Sequence, residues 1–309
     1  NTAYRPRIAR DGSGGAIIVW YSGSFENYNI YGNHVYSGGT REWTDGYLLC
    51  TAYDNQTIPD IIEDGTGGVI VAWKDLRNGN DDIYAQRFDI DLNGLWTTNG
   101  VLIEEGTYPT DLKLARSSEG STIITWIDVA QVEVQHVDAT GSVSWTYERE
   151  IGSLSAPYYY DLIPDGEGGV IVGWREGIQI IKAQRVDSLG TDLWVTGGVT
   201  VREYYGDNYV LMPHLVPDGS GGAIAAWAAF VESGNPLGIF AQRLDGGGSS
   251  LWPTDGMEVC ADIGGQDYCD ITYDGSGGSI IVWQDGRNGN DLDIYAQRID
   301  ENGNPVWNE

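Results

Sequence analysis

Positive charge, sulfur and long apolar stretches are all scarce in this sequence. Lys and Arg together number 17 among 309 residues, against 45 Asp and Glu, and the formal net charge is −28. A chain this acidic would repel the phosphates of nucleic acids and of anionic lipids, so we expect neither as a partner. No apolar run approaches the roughly 18 residues of a membrane-spanning helix, which argues against membrane insertion.

Cysteine and the common catalytic motifs are equally scarce. Three cysteines, Cys50, Cys260 and Cys269, are too few for a disulfide scaffold, and we expect free, partly buried thiols. The sequence has no GxSxG, no HExxH and no phosphate-binding loop, so it carries no signature of a serine hydrolase, a zinc protease or a nucleotide-binding enzyme. It begins with Asn1 rather than Met, which predicts a processed product or a fragment.

An internal repeat dominates the rest of the sequence. Five copies contain the string DGxGG, four mostly apolar residues and a Trp, and a degenerate sixth copy (SSEGSTIITW) ends at Trp126. A second Trp follows each string after 19 to 25 residues, so the 12 Trp divide evenly among six repeats. The first set is Trp20, Trp73, Trp126, Trp174, Trp227 and Trp283, and the second is Trp43, Trp96, Trp145, Trp194, Trp252 and Trp307.

Each repeat predicts four short β-strands, as its second copy illustrates. The first strand (residues 59–63) ends at DGxGG, whose glycines allow the positive φ of a tight turn. The second (69–73) is apolar at every position, so both of its faces must be covered. The third (83–87) follows an Asn-Gly hairpin turn, and we expect the fourth to begin at the second Trp. No segment has a helical period, so helix should be negligible.

Six four-stranded units of similar length favour an all-β fold, a six-bladed β-propeller of four-stranded antiparallel blades. The repeat runs unbroken through the chain, which predicts a single domain over residues 1–309. A β-solenoid is the alternative, but its turns are usually shorter than these repeats. The expected blades are approximately residues 4–58, 59–109, 110–160, 161–213, 214–268 and 269–309.

The consensus P-x-I-x-x-D-G-x-G-G…W-x-D-x-R-N-G-N-x-D-I-Y-A-Q-R-x-D-x-x-G resembles the repeats of TolB-type β-propellers. It is more similar still to the DGxGG…DIYAQR…W repeats of secreted bacterial surface proteins, which implies an extracellular or cell-surface location. The best matches are residues 64–96 and 274–307, and copies one and three depart from the consensus with His34 and His136 in place of the Arg. The resemblance is specific for fold and says little about the ligand.

Ten of the 19 Tyr residues lie in links that lead into first strands, on the face where the longer and more variable loops should gather. Exposed rings beside carboxylates can stack on sugars without any positive charge, so we expect a glycan or protein ligand on this face. The alternative is that the rings wedge neighbouring blades together and keep their hydroxyls hydrated. The candidate ligand-binding residues are Tyr108, Tyr158, Tyr204, Tyr205 and Tyr268.

The position four residues before each DG turn is a second candidate site. It holds, in chain order, Arg7, Asp60, Asp111 (by alignment of the degenerate copy), Asp161, His214 and Asp270. First strands are innermost in a propeller, so these side chains should form a ring near the channel mouth, where carboxylates suit Ca²⁺ or Mg²⁺. No motif requires a cofactor, and the candidate Ca²⁺ ligands are Asp60, Asp111, Asp161 and Asp270. A structural or solvated ring is the favoured alternative, because no ligand spacing is diagnostic.

Two acidic loops, residues 75–82 (DLRNGNDD) and 285–293 (DGRNGNDLD), invite comparison with calcium loops but lack the EF-hand order of ligands. Their Asn-Gly pairs favour a hairpin turn with capping acids. We expect the Arg that recurs in the third strand to form salt bridges between blades. These residues are Arg87, Arg185, Arg243 and Arg298.

Taken together, these features favour a non-catalytic extracellular propeller that binds a glycan or a protein, or that serves as a structural unit of a surface assembly. The alternative is a carbohydrate-active hydrolase or lyase that uses the ring carboxylates, since glycosidases need two suitably spaced carboxyl groups.

The last repeat has only a stub of a fourth strand, residues 305–309. An uncovered third strand exposes backbone donors and acceptors that can pair with another chain. We therefore expect that the native chain continues beyond Glu309, or that a neighbouring molecule covers this edge and the protein self-associates.

Overall fold

The computed structural model describes residues 2–24, 27–145, 149–153, 160–231, 236–261, 265–289 and 291–307, with the backbone alone at 149, 150, 152 and 153. All regular structure in these residues is β: 24 strands form six antiparallel sheets, and no α-helix occurs among them, so the all-β prediction is confirmed. The described part of the chain accordingly offers no helix that could span a membrane. The chain divides into two compact units, residues 1–150 and 151–309, which are described in turn.

The first unit holds three four-stranded sheets, each with its strands paired in chain order. Sheet 1 comprises β1 (Thr2–Arg10), β2 (Ala16–Ser24), β3 (Asn27–Val35) and β4 (Tyr47–Leu48). Sheet 2 comprises β5 (Gln56–Glu63), β6 (Val69–Asp75), β7 (Asp82–Phe88) and β8 (Val101–Glu104). Sheet 3 comprises β9 (Thr110–Arg116), β10 (Thr122–Asp128), β11 (Gln131–Val137) and β12 (Arg149–Ser153), whose last residues enter the second unit.

The second unit holds three sheets that differ in strand number. Sheet 4 comprises β13 (Tyr160–Pro164), β14 (Val170–Glu176), β15 (Ile180–Val186) and β16 (Val199–Glu203). Sheet 5 comprises β17 (Asn208–Val210) and β18 (His214–Pro217), which both pair with β19 (Ala223–Val231), then β20 (Pro236–Leu244) and β21 (Met257–Cys260). Sheet 6 comprises β22 (Gln266–Tyr273), β23 (Ser279–Asp285) and β24 (Asp293–Ile299). Sheets 5 and 6 thus depart from the expected four strands.

A buried aspartate closes the turn between the first and second strands. In sheet 2, Asp64 Oδ1 accepts hydrogen bonds from the backbone N–H groups of Thr66 and Gly68 at 2.7 and 2.9 Å. Its Oδ2 accepts from Thr66 Oγ1 at 2.7 Å and from Arg87 Nε at 2.8 Å. The recurring Arg therefore forms its ion pair within its own sheet, and the expected salt bridge between repeats is wrong.

Successive sheets are joined by a backbone carbonyl instead. Arg243 Nη1 and Trp252 Nε1 both donate to the carbonyl of Glu301, in the turn after the third strand of the next sheet, at 2.9 and 3.2 Å. The same two donors of sheet 4 reach the carbonyl of Gly246. In sheet 6, the last of the described sheets, the second Trp, Trp307, is 43% exposed.

The first set of Trp forms much of the core. Trp73 packs in a cluster with Val19 and Ile30 of the preceding sheet. Six copies of the repeat predict that both Trp sets are buried at equivalent positions, but Trp20 in the first sheet is only half-buried, and so is much of the second set. The buried Trp are Trp73, Trp126, Trp174, Trp227 and Trp283 of the first set, and Trp194 and Trp252 of the second.

In sheets 1, 2, 4 and 5 the fourth strand begins directly after a glycine rather than at the second Trp, which corrects the sequence-based boundary. In sheet 2, β8 begins at Val101, whereas the second Trp is Trp96. The intervening Gly100 has a φ of 89°, and a Cβ at this position would lie 2.7 Å from Cη2 of Trp73. Glycine is therefore required both by the backbone conformation and by the space that the indole ring occupies.

We expect Trp73→Ala to lower the free energy of unfolding by about 3–5 kcal/mol, as truncation of a large buried aromatic residue does. Trp307→Ala, which removes an exposed ring of the same type, should cost less than about 1 kcal/mol. Denaturant unfolding of the two variants and the wild type measures both values. Equal losses would contradict the distinction between core and peripheral Trp.

Candidate functional site

A cavity of about 400 Å³ opens in the second unit, beside the adjacent first strands of sheets 5 and 6. Three parts of the chain line it: the link that leads into β18, the middle of β19, and β22. The lining residues are Leu211, Met212, His214, Ala228, Tyr268, Cys269 and Asp270.

A β-bulge in β22 explains why Tyr268 reaches the rim of this cavity. The register of β22 on β23 shifts between Asp267 and Asp270, and Tyr268 has a φ of 47°. An extra residue in one strand of an antiparallel pair bends that strand and re-aims its side chains. Tyr268 is 71% exposed, whereas the adjacent Cys269 is buried. Positive φ values mark the same strand position in the first unit at Arg5, Ile58 and Asp111.

A carboxylate and an imidazole supply the polar groups of the cavity. His214 Nδ1 lies 3.8 Å from Asp270 Oδ1, which is longer than a hydrogen bond. The same Oδ1 accepts the backbone N–H of Ile271 at 2.8 Å. His214 begins β18 and Asp270 ends the bulge of β22, so the pairing of two rigid strands sets their separation. The remaining lining is largely apolar, with Met212 and Ala228 among its members.

The thiol in the cavity wall is not a reactive group. Burial raises the pKa of Cys269 to about 12, so the thiol stays protonated at neutral pH. Thiolate is the nucleophilic form, so burial disfavours Cys269 as a nucleophile. As predicted, all three cysteines are free: Cys50, Cys260 and Cys269.

The candidate tyrosines separate into exposed and buried members. Tyr108 and Tyr205 are 72% and 74% exposed, like Tyr268, but neither lines the cavity. Tyr204 is buried in the core, and its hydroxyl accepts a hydrogen bond from Trp227 Nε1 at 3.1 Å. Its selection as a ligand-binding residue is therefore wrong, and the alternative of a structural wedge describes it. Tyr158 lies outside the described residues.

In the first unit, the strand pairing corrects one member of the expected carboxylate ring. Asp60 pairs with Ala72, and the equivalent residue of sheet 3 is Lys113, paired with Thr125. Asp111 lies two residues away, at the bulge, so its assignment to this ring position is wrong. The degenerate turn lacks the Asp that would have anchored the alignment.

In the first unit, the remaining ring carboxylate is that of Asp60, which lies beside an arginine and accepts a backbone hydrogen bond. Arg7 Nε lies 3.5 Å from Asp60 Oδ1, and Oδ2 accepts the backbone N–H of Leu114 at 3.0 Å. Burial nevertheless raises the pKa of Asp60 to about 6, with Arg7 opposing the rise.

In the second unit, the ring positions are Asp161, His214 and Asp270. Asp161 Oδ1 and Oδ2 accept the backbone N–H groups of Leu162 and Leu215, both at 2.9 Å. Only His214 and Asp270 belong to the cavity. Among the described residues, no group of three or more His, Cys, Asp or Glu side chains could hold a metal ion. The Ca²⁺ site at Asp60, Asp161 and Asp270 stays a prediction.

The two acidic loops form hairpin turns, as their Asn-Gly pairs indicate. In the first, Asp75 Oδ2 accepts from Trp73 Nε1 at 2.8 Å and from Arg77 Nη2 at 2.5 Å. Asn78 Nδ2 donates to Asp82 Oδ2 at 2.9 Å. These acids cap the indole, the guanidinium and the turn, so the loop has a structural explanation without a cation.

Sequence reasoning selected three cavity residues but in two separate hypotheses: Tyr268 as a stacking ring, and His214 and Asp270 as ring members. It missed Leu211 and Met212, because no sequence pattern indicates that these residues lie between β17 and β18 and face the cavity. His214 and Asp270 share one distance from the DG turns of neighbouring repeats, and Tyr268 lies two residues before Asp270, which is the signal that could have linked the three.

No protein-family model matches the chain, and no curated protein is similar to it in sequence. Solved structures do match over nearly its whole length. A protein from Lactobacillus plantarum aligns with a TM-score of 0.58 at 11% identity, covering 100% of this chain and 85% of that one. The β-propeller domain of the Trilobed protease from Pyrococcus furiosus aligns with a TM-score of 0.51 at 12% identity, covering 99% and 83%.

Proteins that act on glycans are also among the matching structures. The polysaccharide lyase Uly1 aligns with a TM-score of 0.51 at 9% identity, covering 92% of this chain and 79% of that one. A longer protein, the Hadza microbial sialidase Hz136, aligns with a TM-score of 0.46 at 14% identity over 94% of this chain, which spans 64% of that protein's length. At such identities the likeness shows the fold alone, that of a β-propeller, because one fold hosts many activities.

The raised pKa of Asp60 predicts an unusual pH dependence. An acid whose pKa is higher in the folded than in the unfolded state stabilises the protein below its unfolded value, and that contribution is lost as the pH rises toward about 6. In Asp60→Asn this loss disappears, so the melting temperature of the variant relative to the wild type should increase between about pH 4 and pH 7. Thermal melts across this range measure the difference, and parallel curves would contradict it.

Proposed function

We propose that the chain is an extracellular β-propeller of six four-stranded blades that binds a neutral glycan without catalysis, at the cavity beside Tyr268. Six antiparallel sheets with a common strand order support the blade count, and sheets 5 and 6 are its two irregular members. The extracellular location rests on the similarity of the repeat to those of secreted bacterial surface proteins.

The observation that carries the glycan proposal is the combination of an exposed aromatic ring with polar side chains around one concave site. Tyr268 offers a ring face on which the C–H groups of a sugar can stack. Asp270 and His214 stand beside it and can bond hydroxyl groups, while Met212 contributes apolar lining. Small-molecule sites commonly have this composition, a mostly apolar concavity with a few polar groups that orient the ligand.

The negative charge of the chain disfavours anionic glycans as ligands. A net charge of −28 repels anionic ligands over long range. The carboxylate of Asp270 adds a local negative charge at the cavity. Neutral sugars and amino sugars therefore fit the site better than uronic or sialic acids.

We expect Tyr268→Ala to abolish the binding of a neutral glycan, because the stacking surface is removed, and Asp270→Asn to weaken it. Tyr205→Ala is the matched control, since it removes an equally exposed Tyr that lies outside the cavity. A glycan array identifies the ligand, and calorimetric titration of the three variants measures the losses. Equal loss in Tyr205→Ala, or none in Tyr268→Ala, would overturn the assignment of the site.

The second candidate is a carbohydrate-active enzyme, a lyase or a hydrolase, and one observation favours it. His214, a side chain able to act as a general base, shares the cavity with the phenol of Tyr268. The polysaccharide lyase Uly1 is among the structures of similar fold. Against a mechanism based on the ring carboxylates, both oxygens of Asp161 accept backbone hydrogen bonds.

Incubation with a panel of neutral and acidic polysaccharides separates the two functions. Binding without new reducing ends or unsaturated products is the outcome we expect. Turnover that is lost in His214→Gln would replace the binding proposal with an enzyme centred on this cavity. Turnover lost in Asp161→Asn but kept in His214→Gln would instead assign the chemistry to the ring carboxylates.

A further inference from the structure

A small residue at one position of the repeat lines the cavity beside Tyr268. The residue that follows the first Trp has a larger side chain in five sheets and only a methyl group in sheet 5, where it is Ala228. Ala228 packs in one cluster with Cys269 and Ile281 of sheet 6, and it lines the cavity. The equivalent residues of the other sheets are Tyr21, Lys74, Ile127, Arg175 and Gln284.

The larger side chains at this position make contacts that Ala228 cannot make. In sheet 1, Tyr21 stacks on Tyr4 of the first strand, with 5.3 Å between the ring centroids. In sheet 4, Arg175 Nη1 donates to the carbonyl of Val210 in the next sheet at 2.8 Å. Alanine leaves the corresponding volume in sheet 5 unfilled, and the cavity of about 400 Å³ lies beside it.

Two polar side chains line the cavity together with this apolar surface. His214 Nδ1 and Asp270 Oδ1 are 3.8 Å apart, and Oδ1 already accepts the backbone N–H of Ile271. Among the described residues, no hydrogen bond engages Asp270 Oδ2 or a ring nitrogen of His214. A ligand group with one donor and one acceptor can satisfy both side chains, because it donates to the carboxylate and accepts from the imidazole N–H.

We propose that the cavity selects sugars that carry an N-acetyl group, an inference that rests on the proposed binding of a neutral glycan. The acetamido group combines one donor, one acceptor and a methyl group. Its N–H donates to Asp270 and its carbonyl accepts from His214, while the methyl group packs against Ala228. The ring of the same sugar stacks on Tyr268.

Two related sugars fit this lining less well. A hydroxyl group in place of the acetamido group forms hydrogen bonds but has no methyl group to bury. The ammonium group of a free amino sugar is attracted to Asp270, but it loses hydration beside the apolar side chains of Leu211 and Met212. Burial of a methyl group against apolar side chains is favourable, so the lining distinguishes the acetylated sugar from both.

The first test compares three trisaccharides that differ only in the group at C2. They are chitotriose, with acetamido groups, cellotriose, with hydroxyl groups, and fully deacetylated chitotriose, with amino groups. Calorimetric titration in about 0.5 M NaCl screens the long-range attraction of the amino groups to the acidic chain. We expect chitotriose to bind the wild-type protein at least about tenfold more tightly than either of the others.

The matched protein variant is Ala228→Ile, which introduces the side chain that Ile127 supplies in sheet 3. The variant should fold and keep its melting temperature within a few degrees, because the cavity has room for the added atoms. Its affinity for chitotriose should fall to about that for cellotriose. Met212→Ser, which changes a half-buried residue of the lining, should also reduce the ratio of the two affinities, and Tyr205→Ala should keep it. A tenfold preference that survives both changes of the lining would overturn the proposal.

The outcomes separate this inference from the proposed function. Equal affinities for chitotriose and cellotriose, both lost in Tyr268→Ala, would overturn the acetamido assignment and leave glycan binding in place. No binding of chitotriose, with another glycan bound on the array, would do the same. Chitotriose binding that Tyr268→Ala leaves unchanged, or no binding of any glycan, would overturn both.

Discussion

A carboxylate with no access to solvent holds the first three strands of each regular repeat together. Asp64 ends the first strand, bonds two amides of the turn and pairs with Arg87 on the third strand. Burial alone would raise the pKa of Asp64, but hydrogen bonds from Thr66, Arg87 and Gly68 outweigh it and lower the pKa. A buried carboxylate is tolerated only when its oxygens are satisfied, so turn and third strand require each other.

The irregular repeats support this dependence, because the acid is kept where the third strand still offers it a partner and is absent where it does not. In sheet 1 the partner is His34, whose Nε2 lies 2.9 Å from Asp11 Oδ2, and this bond lowers the pKa of Asp11. In sheet 3 the turn has Ser117 in place of the Asp, and the third strand has His136, whose pKa burial lowers. A neutral imidazole needs no carboxylate, whereas a buried guanidinium would be left without its counter-charge. The degenerate copy therefore lost both charges.

The buried Asp of the DG turn also determines how far the sequence predicts the structure. Where the DG turn is intact, counting back from it finds the paired residue of the first strand, and the third strand of sheet 2, predicted over residues 83–87, extends one residue further at each end. Where it is absent, the count chose Asp111 instead of Lys113, since only strand pairing reveals the bulge. Tyr204 and Tyr205 are neighbours with opposite environments, and no periodicity in a short link distinguishes a buried ring from an exposed one. The cavity joins three distant segments, which is tertiary information.

The cavity forms where the first strands of sheets 5 and 6 each carry an extra residue. In sheet 5, Val210 pairs with Ala229 and His214 with Ala226, so the first strand has one residue more than its partner at this point. Leu211 still donates its backbone N–H to the carbonyl of Ala228 at 3.0 Å, and it lines the cavity.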